Sequence, residues 1–185
     1  VPQLPHCPPL RCIVAEEDIR ARVTELAAAI GRDHPDDEPL LVVAVMKGAV
    51  LFLADLVRRL HMPLEIELLQ ARSYDGAVRR QVQLLSDAAG LELRGRDVLL
   101  VDTVLDSGHT LGAVRSALLA GGPARLATCV LLSKRRAREV DVRPEYVGME
   151  IPDVFVVGYG LDHGNRWRHL PYVAELVAEE KCDVR

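Results

Sequence analysis

The apolar positions of this chain fall into short solid blocks separated by stretches with helical spacing. Residues 40–46 are apolar throughout and rich in valine, the pattern of a strand covered on both faces. Residues 97–101 and 124–132 repeat it, the first running into Asp102. Partly alternating patterns predict further strands over 64–71, 81–85 and 154–157. Between these blocks, residues 15–30, 49–60 and 110–120 space their apolar side chains at the helical period. Glu16, Glu17 and Asp18 open the first of these helices, and Gly31 stands just past its end. The second ends in Arg58-Arg59, and the third meets Gly121-Gly122-Pro123. All these end signals suit the helix dipole or stop a helix. The stretch 32–39 is a charged loop, and 72–80, polar with Gly76, reads as a mobile loop.

Apolar strands alternating with helices predict an α/β fold, a mostly parallel sheet with helices on both faces. Ligands of such sheets bind beyond the carboxyl ends of the strands. Lys47, Asp102, Lys134 and the segment after Val157 all fall at those ends, so the predicted topology gathers them at one rim.

Composition adds bounds. A chain of 185 residues fits one domain. Hydrophobic residues at 49% and charged residues at 27% are ordinary for a soluble globular protein. A net charge of −4 gives no nucleic-acid footprint. No apolar run approaches the ~18 residues of a membrane span, and no basic-then-apolar leader opens the chain. The expected compartment is the cytoplasm, with neither membrane nor nucleic acid as partner. The cysteines Cys7, Cys12, Cys129 and Cys182 lack two-residue metal-site spacing. Cys129 reads as a small core hydrophobe. His6, Cys7 and Cys12 read as part of an irregular arm over residues 1–12, which holds four prolines, rather than as metal ligands. Among 23 basic residues only Lys47, Lys134 and Lys181 are lysines. A lysine kept against that bias suggests a site wanting a compact ammonium.

The chemistry concentrates in Asp97-Val-Leu-Leu-Val-Asp102-Thr-Val-Leu-Asp106-Ser-Gly-His-Thr110. Gly108 allows close approach of a ligand. Ser107, Thr110 and amides at a helix start suit a phosphate monoester. A plain helix N-cap explains the loop equally well; Asp102 at the strand end tips the balance toward ligand binding. Lys47-Gly48 after a buried strand could hold a second phosphate, although alone it is better read as a turn. Gly158-Tyr-Gly160-Leu-Asp162-His-Gly164 fails as a dinucleotide fingerprint on spacing. Asp162 and Arg168 either meet a ligand or pair with each other. Phe155 either fills core, which chemistry alone slightly favours, or stacks on a planar ring.

Together these segments resemble the hypoxanthine-guanine phosphoribosyltransferase family, of the type I phosphoribosyltransferase fold. The resemblance runs from about Ile13 to Val177. It includes Val45-Met46-Lys47-Gly48-Ala49, Phe52-Leu-Ala-Asp55-Leu, Arg72-Ser73-Tyr74 and the run from Val98 to Leu111. It continues through Leu131-Leu-Ser-Lys134-Arg135, Tyr146-Val-Gly-Met-Glu150-Ile-Pro-Asp153, Phe155-Val-Val-Gly-Tyr-Gly-Leu-Asp162 and Arg168-His-Leu-Pro171-Tyr172. The acidic loop marks the phosphoribosyl-diphosphate superfamily, and the later segments mark its 6-oxopurine group.

The resemblance implies one phosphoribosyltransferase domain over residues 1–185, with 154–185 contributing to a hood over the base. It implies Mg²⁺-dependent transfer of phosphoribose from phosphoribosyl diphosphate to hypoxanthine or guanine, giving IMP or GMP. Residue by residue, Asp106, Ser107, Gly108, His109 and Thr110 would bind the 5′-phosphate, and Asp102 with Thr103 would face the ribose diol. Asp102 would also meet Mg²⁺, and Asp162 would join a second Mg²⁺ through water. Lys47 and Gly48, with a non-proline cis bond before Lys47, would contact pyrophosphate, as would Arg168. Phe155 would stack on the purine, Lys134 would donate to its 6-oxo group, and Val156 and Asp162 would read its edge by their backbone. Ser73 and Tyr74 would belong to a lid. Asp106 would be the general base. The family also implies a homodimer or homotetramer.

One position departs from the pattern: Thr103 replaces the second of two consecutive acidic residues. Weaker grip on the ribose diol or its metal is the expected consequence. Two alternatives follow. One is a weakly active or inactive regulator of the same fold that binds nucleotide or RNA; the other is a xanthine or pyrimidine phosphoribosyltransferase. The intact Asp106 and the acidic net charge speak against the regulator. His109 reads as solvent-facing, with tuning of phosphate affinity as the alternative.

Overall fold

A computed structural model describes residues 9–34, 38–75, 80–84, 90–136 and 139–177. The valine-rich block forms β2 (Leu40–Met46) at the centre of a six-stranded sheet. The sheet is ordered β4-β3-β2-β5-β6-β7, with β3 (Leu64–Asp75), β4 (Arg80–Leu84), β5 (Asp97–Leu105), β6 (Arg125–Lys134) and β7 (Tyr146–Ile151). All neighbours are parallel except β3 and β4, an antiparallel pair at one edge. Side chains of β2 alternate between two cores, as the pleat requires. Val42 and Ala44 join α1 (Glu16–Asp33) and α2 (Val50–Val57) through Ile30, Phe52 and Leu56. Leu41, Val43 and Val45 join α3 (His109–Ala120) on the other face through Leu111, Val114 and Leu118. Each fully buried leucine here is worth ~1.5–3 kcal/mol over an exposed one. The doubly covered, mostly parallel sheet is the architecture the alternation of blocks predicts.

A second, three-stranded antiparallel sheet, β1-β9-β8, joins the two ends of the described chain: β1 (Leu10–Val14), β8 (Val156–Val157) and β9 (Val173–Leu176). Leu10 and Cys12 are therefore strand, not irregular arm; residues 1–8, with His6 and Cys7, and Lys181 and Cys182 lie outside the described residues. Cys12 is free and exposed, and Cys129 is a buried thiol on β6, as expected of a core hydrophobe.

Several boundaries differ from the sequence-based ones. Helix α1 runs through Gly31 and stops where the amide of His34 donates to Ile30 O. Helix α2 stops at Val57, because Arg59 and Leu60 donate to carbonyls three residues back and tighten the last turn. Strand β5 continues past Asp102 to Leu105, paired with β6 as far as Ser133. The stretch expected as a loop over 72–80 is a hairpin in its described part: Ala71 to Asp75 pair with Leu84 to Arg80. Residues 76–79 lie outside the described residues.

Candidate active site

The parallel strands β2, β5, β6 and β7 end at one rim, and the second sheet overhangs it. Between them lies a cleft of about 330 Å³ lined by Lys47, Gly48, Val104, Asp106, Lys134, Phe155, Val156, Leu161, Asp162 and Arg168. That volume is the size of a small-molecule site. The four groups on which the sequence reading turns, Lys47, Asp106, Lys134 and Arg168, thus share one cavity.

The candidate anion cradle lies where β5 meets α3. Gly108 is the N-cap at φ +90°, a left-handed conformation natural to glycine. A Cβ there would lie 2.7 Å from the Val140 carbonyl oxygen. The amide of Gly112 donates to Gly108 O at 2.8 Å. Residues 109–111 form the first turn of α3, at the positive end of its dipole. Ser107 is buried, and its carbonyl accepts from the amides of Glu139 and Val140. His109 is not simply solvent-facing; its ring pairs with Glu139 at 2.9 Å.

The peptide bond between Met46 and Lys47 is cis, as the resemblance implies. The turn it opens is held from two sides. Thr103, fully buried, donates its hydroxyl to the Gly48 carbonyl at 3.0 Å. From the hood, Gly160 at φ +94° comes so close that a Cβ on it would sit 2.1 Å from the same oxygen. The hydroxyl of Thr103, which the resemblance puts among the residues near phosphoribosyl diphosphate, is engaged by the turn that carries Lys47. Its neighbour Asp102 is half-buried and accepts the Thr103 amide at 2.7 Å. Burial pushes its carboxyl up to about 7, against the opposing pull of that amide.

At the opposite end of the cleft, Lys134 closes β6 and is 9% exposed. Its ammonium donates to Asp106 Oδ2 at 2.7 Å and lies 3.9 Å from Asp153 Oδ1. Burial raises the Asp106 carboxyl, but Lys134 and then Arg136 outweigh it and hold the group below its ordinary value. Phe155 is 51% exposed at the cleft, so it is an available ring face, not core. Its edge meets His163 at a centroid distance of 5.3 Å, and His163 stacks on Trp167 at 6.1 Å. Asp162 pairs with Arg168 at 2.6 Å and accepts the Asn165 amide at 2.7 Å. Arg168 also donates to Gly160 O. Asp162 and Arg168 thus pair with each other, and the pair lines the cleft. The Gly158–Gly164 run is a hood turn rather than a dinucleotide fingerprint. It is anchored by Tyr159, whose hydroxyl donates to Asp55 on α2 at 2.7 Å.

Sequence reasoning missed Arg136, Asp153, Val104 and Leu161. Arg136 donates to Asp106 Oδ1 at 2.9 Å. The basic run Lys134-Arg135-Arg136 was the available signal, but only the fold shows which arginine turns inward; Arg135 pairs outward with Glu150. Ser73 and Tyr74 are paired in the β3–β4 hairpin, with Val82 and Gln81.

Comparison with known proteins agrees with this geometry. Residues 13–163 match the family model for the phosphoribosyl transferase domain. The chain is 42% identical over 168 residues to the hypoxanthine phosphoribosyltransferase of Salmonella typhimurium, covering 89% of this chain and 94% of that protein. The chain belongs to the hypoxanthine-guanine phosphoribosyltransferase family. It is also 42% identical over 166 residues to a family member from Aquifex aeolicus, covering 89% of this chain and 93% of that protein. The crystal structure of another, from Bacillus anthracis, matches with a TM-score of 0.84 at 38% identity, covering 90% of this chain and 98% of that one. As in the family, the fold is a mostly parallel sheet with a small antiparallel sheet as hood.

Proposed function

We propose that this enzyme salvages purines by Mg²⁺-dependent transfer of phosphoribose from phosphoribosyl diphosphate to hypoxanthine or guanine, yielding IMP or GMP and pyrophosphate. The observation that carries this is one cleft holding a carboxylate, an ammonium 2.7 Å from it and an exposed phenyl ring, with an anion cradle beside them. Membership in the family supports the cytoplasm as its place of action and a homodimer or homotetramer as its assembly.

In this reading Ser107, Gly108, His109 and Thr110 seat the 5′-phosphate at the N-terminus of α3. Lys47, Gly48 and Arg168 hold the pyrophosphate, so negative charge that grows on the leaving group meets fixed cations. Phe155 offers the purine a face, the backbone of Val156 and Asp162 reads its edge, and the Lys134 ammonium donates to its 6-oxo group. Asp106 takes the proton from the imidazole side of the purine as the new C–N bond forms at the anomeric carbon and the bond to pyrophosphate breaks. Lys134 sets selectivity, because the amino group of adenine would leave the ammonium facing a donor, costing ~1–3 kcal/mol. Ser73 and Tyr74 would close over the sugar and exclude water.

The donors present suit Mg²⁺ that arrives with the diphosphate and keeps waters, which is how this ion usually binds. Asp102 would be the carboxylate near it. Asp162, whose oxygens are engaged by Arg168 and the Asn165 amide, would act through water. Bound there, the ion would neutralise developing charge on pyrophosphate.

The test is an assay of nucleotide formation from phosphoribosyl diphosphate, Mg²⁺ and each base in turn, with Asp106→Asn beside the wild type. Turnover with hypoxanthine or guanine that falls about 10²–10⁴-fold in the variant is expected. Equal turnover in both would remove Asp106 from the mechanism, and exclusive use of xanthine or a pyrimidine would replace the substrate.

A further inference from the structure

The carboxylate assigned as base has two oxygens, and each is held by a different cation. Lys134 donates to Oδ2 at 2.7 Å, and Arg136 donates to Oδ1 at 2.9 Å. Asp153 stands opposite, its Oδ1 3.9 Å from Lys134 Nζ and its Oδ2 3.9 Å from Arg136 Nε. The four side chains form a closed ring of alternating charge at the carboxyl ends of β6 and β7. We propose that Arg136 is a positioning residue that fixes the orientation of Asp106, so that Lys134 can leave the carboxylate for the base without releasing it.

Chemistry makes this a need. In the proposed reaction, on which this inference rests, Lys134 must donate to the purine 6-oxo group, and one oxygen of Asp106 must be open to the purine proton. Both demands fall on the Lys134–Oδ2 contact. With Lys134 as the sole partner, the carboxylate would lose its tether as substrate enters and could rotate about its side-chain torsions. Arg136 removes that freedom. Its planar guanidinium holds Oδ1 through one nitrogen while another lies near Asp153, a fork that an ammonium cannot reproduce. Oδ1 is thereby occupied, and Oδ2 becomes the oxygen that receives the proton. Arg136 is itself braced. Its backbone amide donates to Lys134 O at 3.0 Å, and its guanidinium reaches Glu139 at 3.4 Å. Glu139 in turn pairs with His109 of the anion cradle, so the brace joins the base-reading end of the cleft to the phosphate-binding end.

The rival account is an ordinary surface ion pair, since Arg136 is 31% and Asp106 39% exposed; such pairs contribute little. The charged groups facing Asp106 are Lys134 after β6, Arg136 in the following turn and, behind both, Asp153 after β7. Lys47, Asp162 and Arg168 share the cleft. Lys134 and Arg136 both favour the ionised carboxylate, so loss of Arg136 has a signature in pH that loss of mere packing lacks.

The experiment compares wild type, Arg136→Met and Arg136→Lys. Arg136→Met keeps length and loses charge; Arg136→Lys keeps charge and loses the fork. We expect the acid limb of the kcat/KM profile for the purine to move up by roughly 1 pH unit in Arg136→Met. Arg136→Lys should restore most of that shift, while kcat stays about tenfold down in both because orientation is not restored. A ¹³C NMR titration of the Asp106 carboxyl in the free protein should show the same upward shift in Arg136→Met. It needs no turnover, so it distinguishes failure of this inference from failure of the proposed reaction. Unmoved limb and titration, or kcat within twofold of wild type in Arg136→Met, would reduce Arg136 to a surface ion pair. A parallel thermal melt identifies a variant that fails to fold; Arg136→Lys then carries the kcat test alone.

Discussion

At the residue scale, the chemistry of this site was legible wherever side-chain type and place in the chain both mattered. Lys47, Asp106 and Lys134 follow apolar strands, and strands of a parallel sheet end on one side. Phe155 was less legible, because a phenylalanine between valines looks like core until its 51% exposure is seen. Arg136 was invisible as a partner of Asp106, since the two lie thirty positions apart. Asp102 shows what sequence does not reveal at all, the effect of burial on a carboxyl. Its folded pKa of about 7 lies above the ordinary value of 3.8, so the folded chain binds this proton more tightly than the unfolded chain does. The stability from the protonated form is fully present below about pH 4. It is lost as pH rises through 7. Asp102→Asn keeps an acceptor for the Thr103 amide and cannot ionise. Its melting temperature relative to wild type should therefore rise between pH 5 and pH 8. A difference that is flat across that range would show that the wild-type carboxyl titrates normally. Activity should fall in the same variant, since the proposed contact with the ribose diol and Mg²⁺ needs the charge.

At the element scale, the long blocks were easy and the edges were not. Strands β2, β5 and β6 are buried on both faces and announce themselves as apolar runs. Strand β7 hides because Gly148 and Glu150 interrupt it; the glycine is required where a Cβ would lie 2.4 Å from Leu131 O. Strands β1 and β9 are short, and they exist by pairing with each other across nearly the whole chain. Strand β5 runs past Asp102 because β6 continues beside it. That overrun carries Thr103 under the turn after β2, where it links two elements through Gly48. Thr103→Val keeps the shape and removes the donor, leaving the Gly48 carbonyl without it. Urea denaturation should show a loss of about 1–3 kcal/mol with an unchanged slope. A loss below about 0.5 kcal/mol would mean that the hydroxyl is not needed to hold the turn. An ionised carboxylate at this position could not donate to the Gly48 carbonyl as the Thr103 hydroxyl does, so the weaker ribose grip expected from the missing charge is a separate question.

At the scale of the whole molecule, the site is an encounter between two separately built halves. The turn after β2 and the loop between β5 and α3, proposed to hold the phosphates, make one half that rests on the central sheet. The end of β6 and the hood, proposed to hold the purine, make the other, anchored to α2 through Tyr159 and Asp55. Asp106 stands where they meet. This division predicts how a lesion on one side spreads. Lys134→Ala removes the ammonium proposed to read the 6-oxo group but leaves the cradle, Lys47 and Arg168 in place. Asp106 keeps Arg136 on Oδ1. A hydrogen bond from a charged donor is worth about 1.5–3 kcal/mol, or about 10–100-fold in binding. The KM for hypoxanthine should rise by that factor, whereas the Kd for phosphoribosyl diphosphate should stay within about threefold. Discrimination against adenine should narrow in the same variant, because the donor that adenine would face is gone. Equal losses for purine and diphosphate would mean that Lys134 acts through the shared carboxylate rather than on the base, and that the two halves are one coupled site.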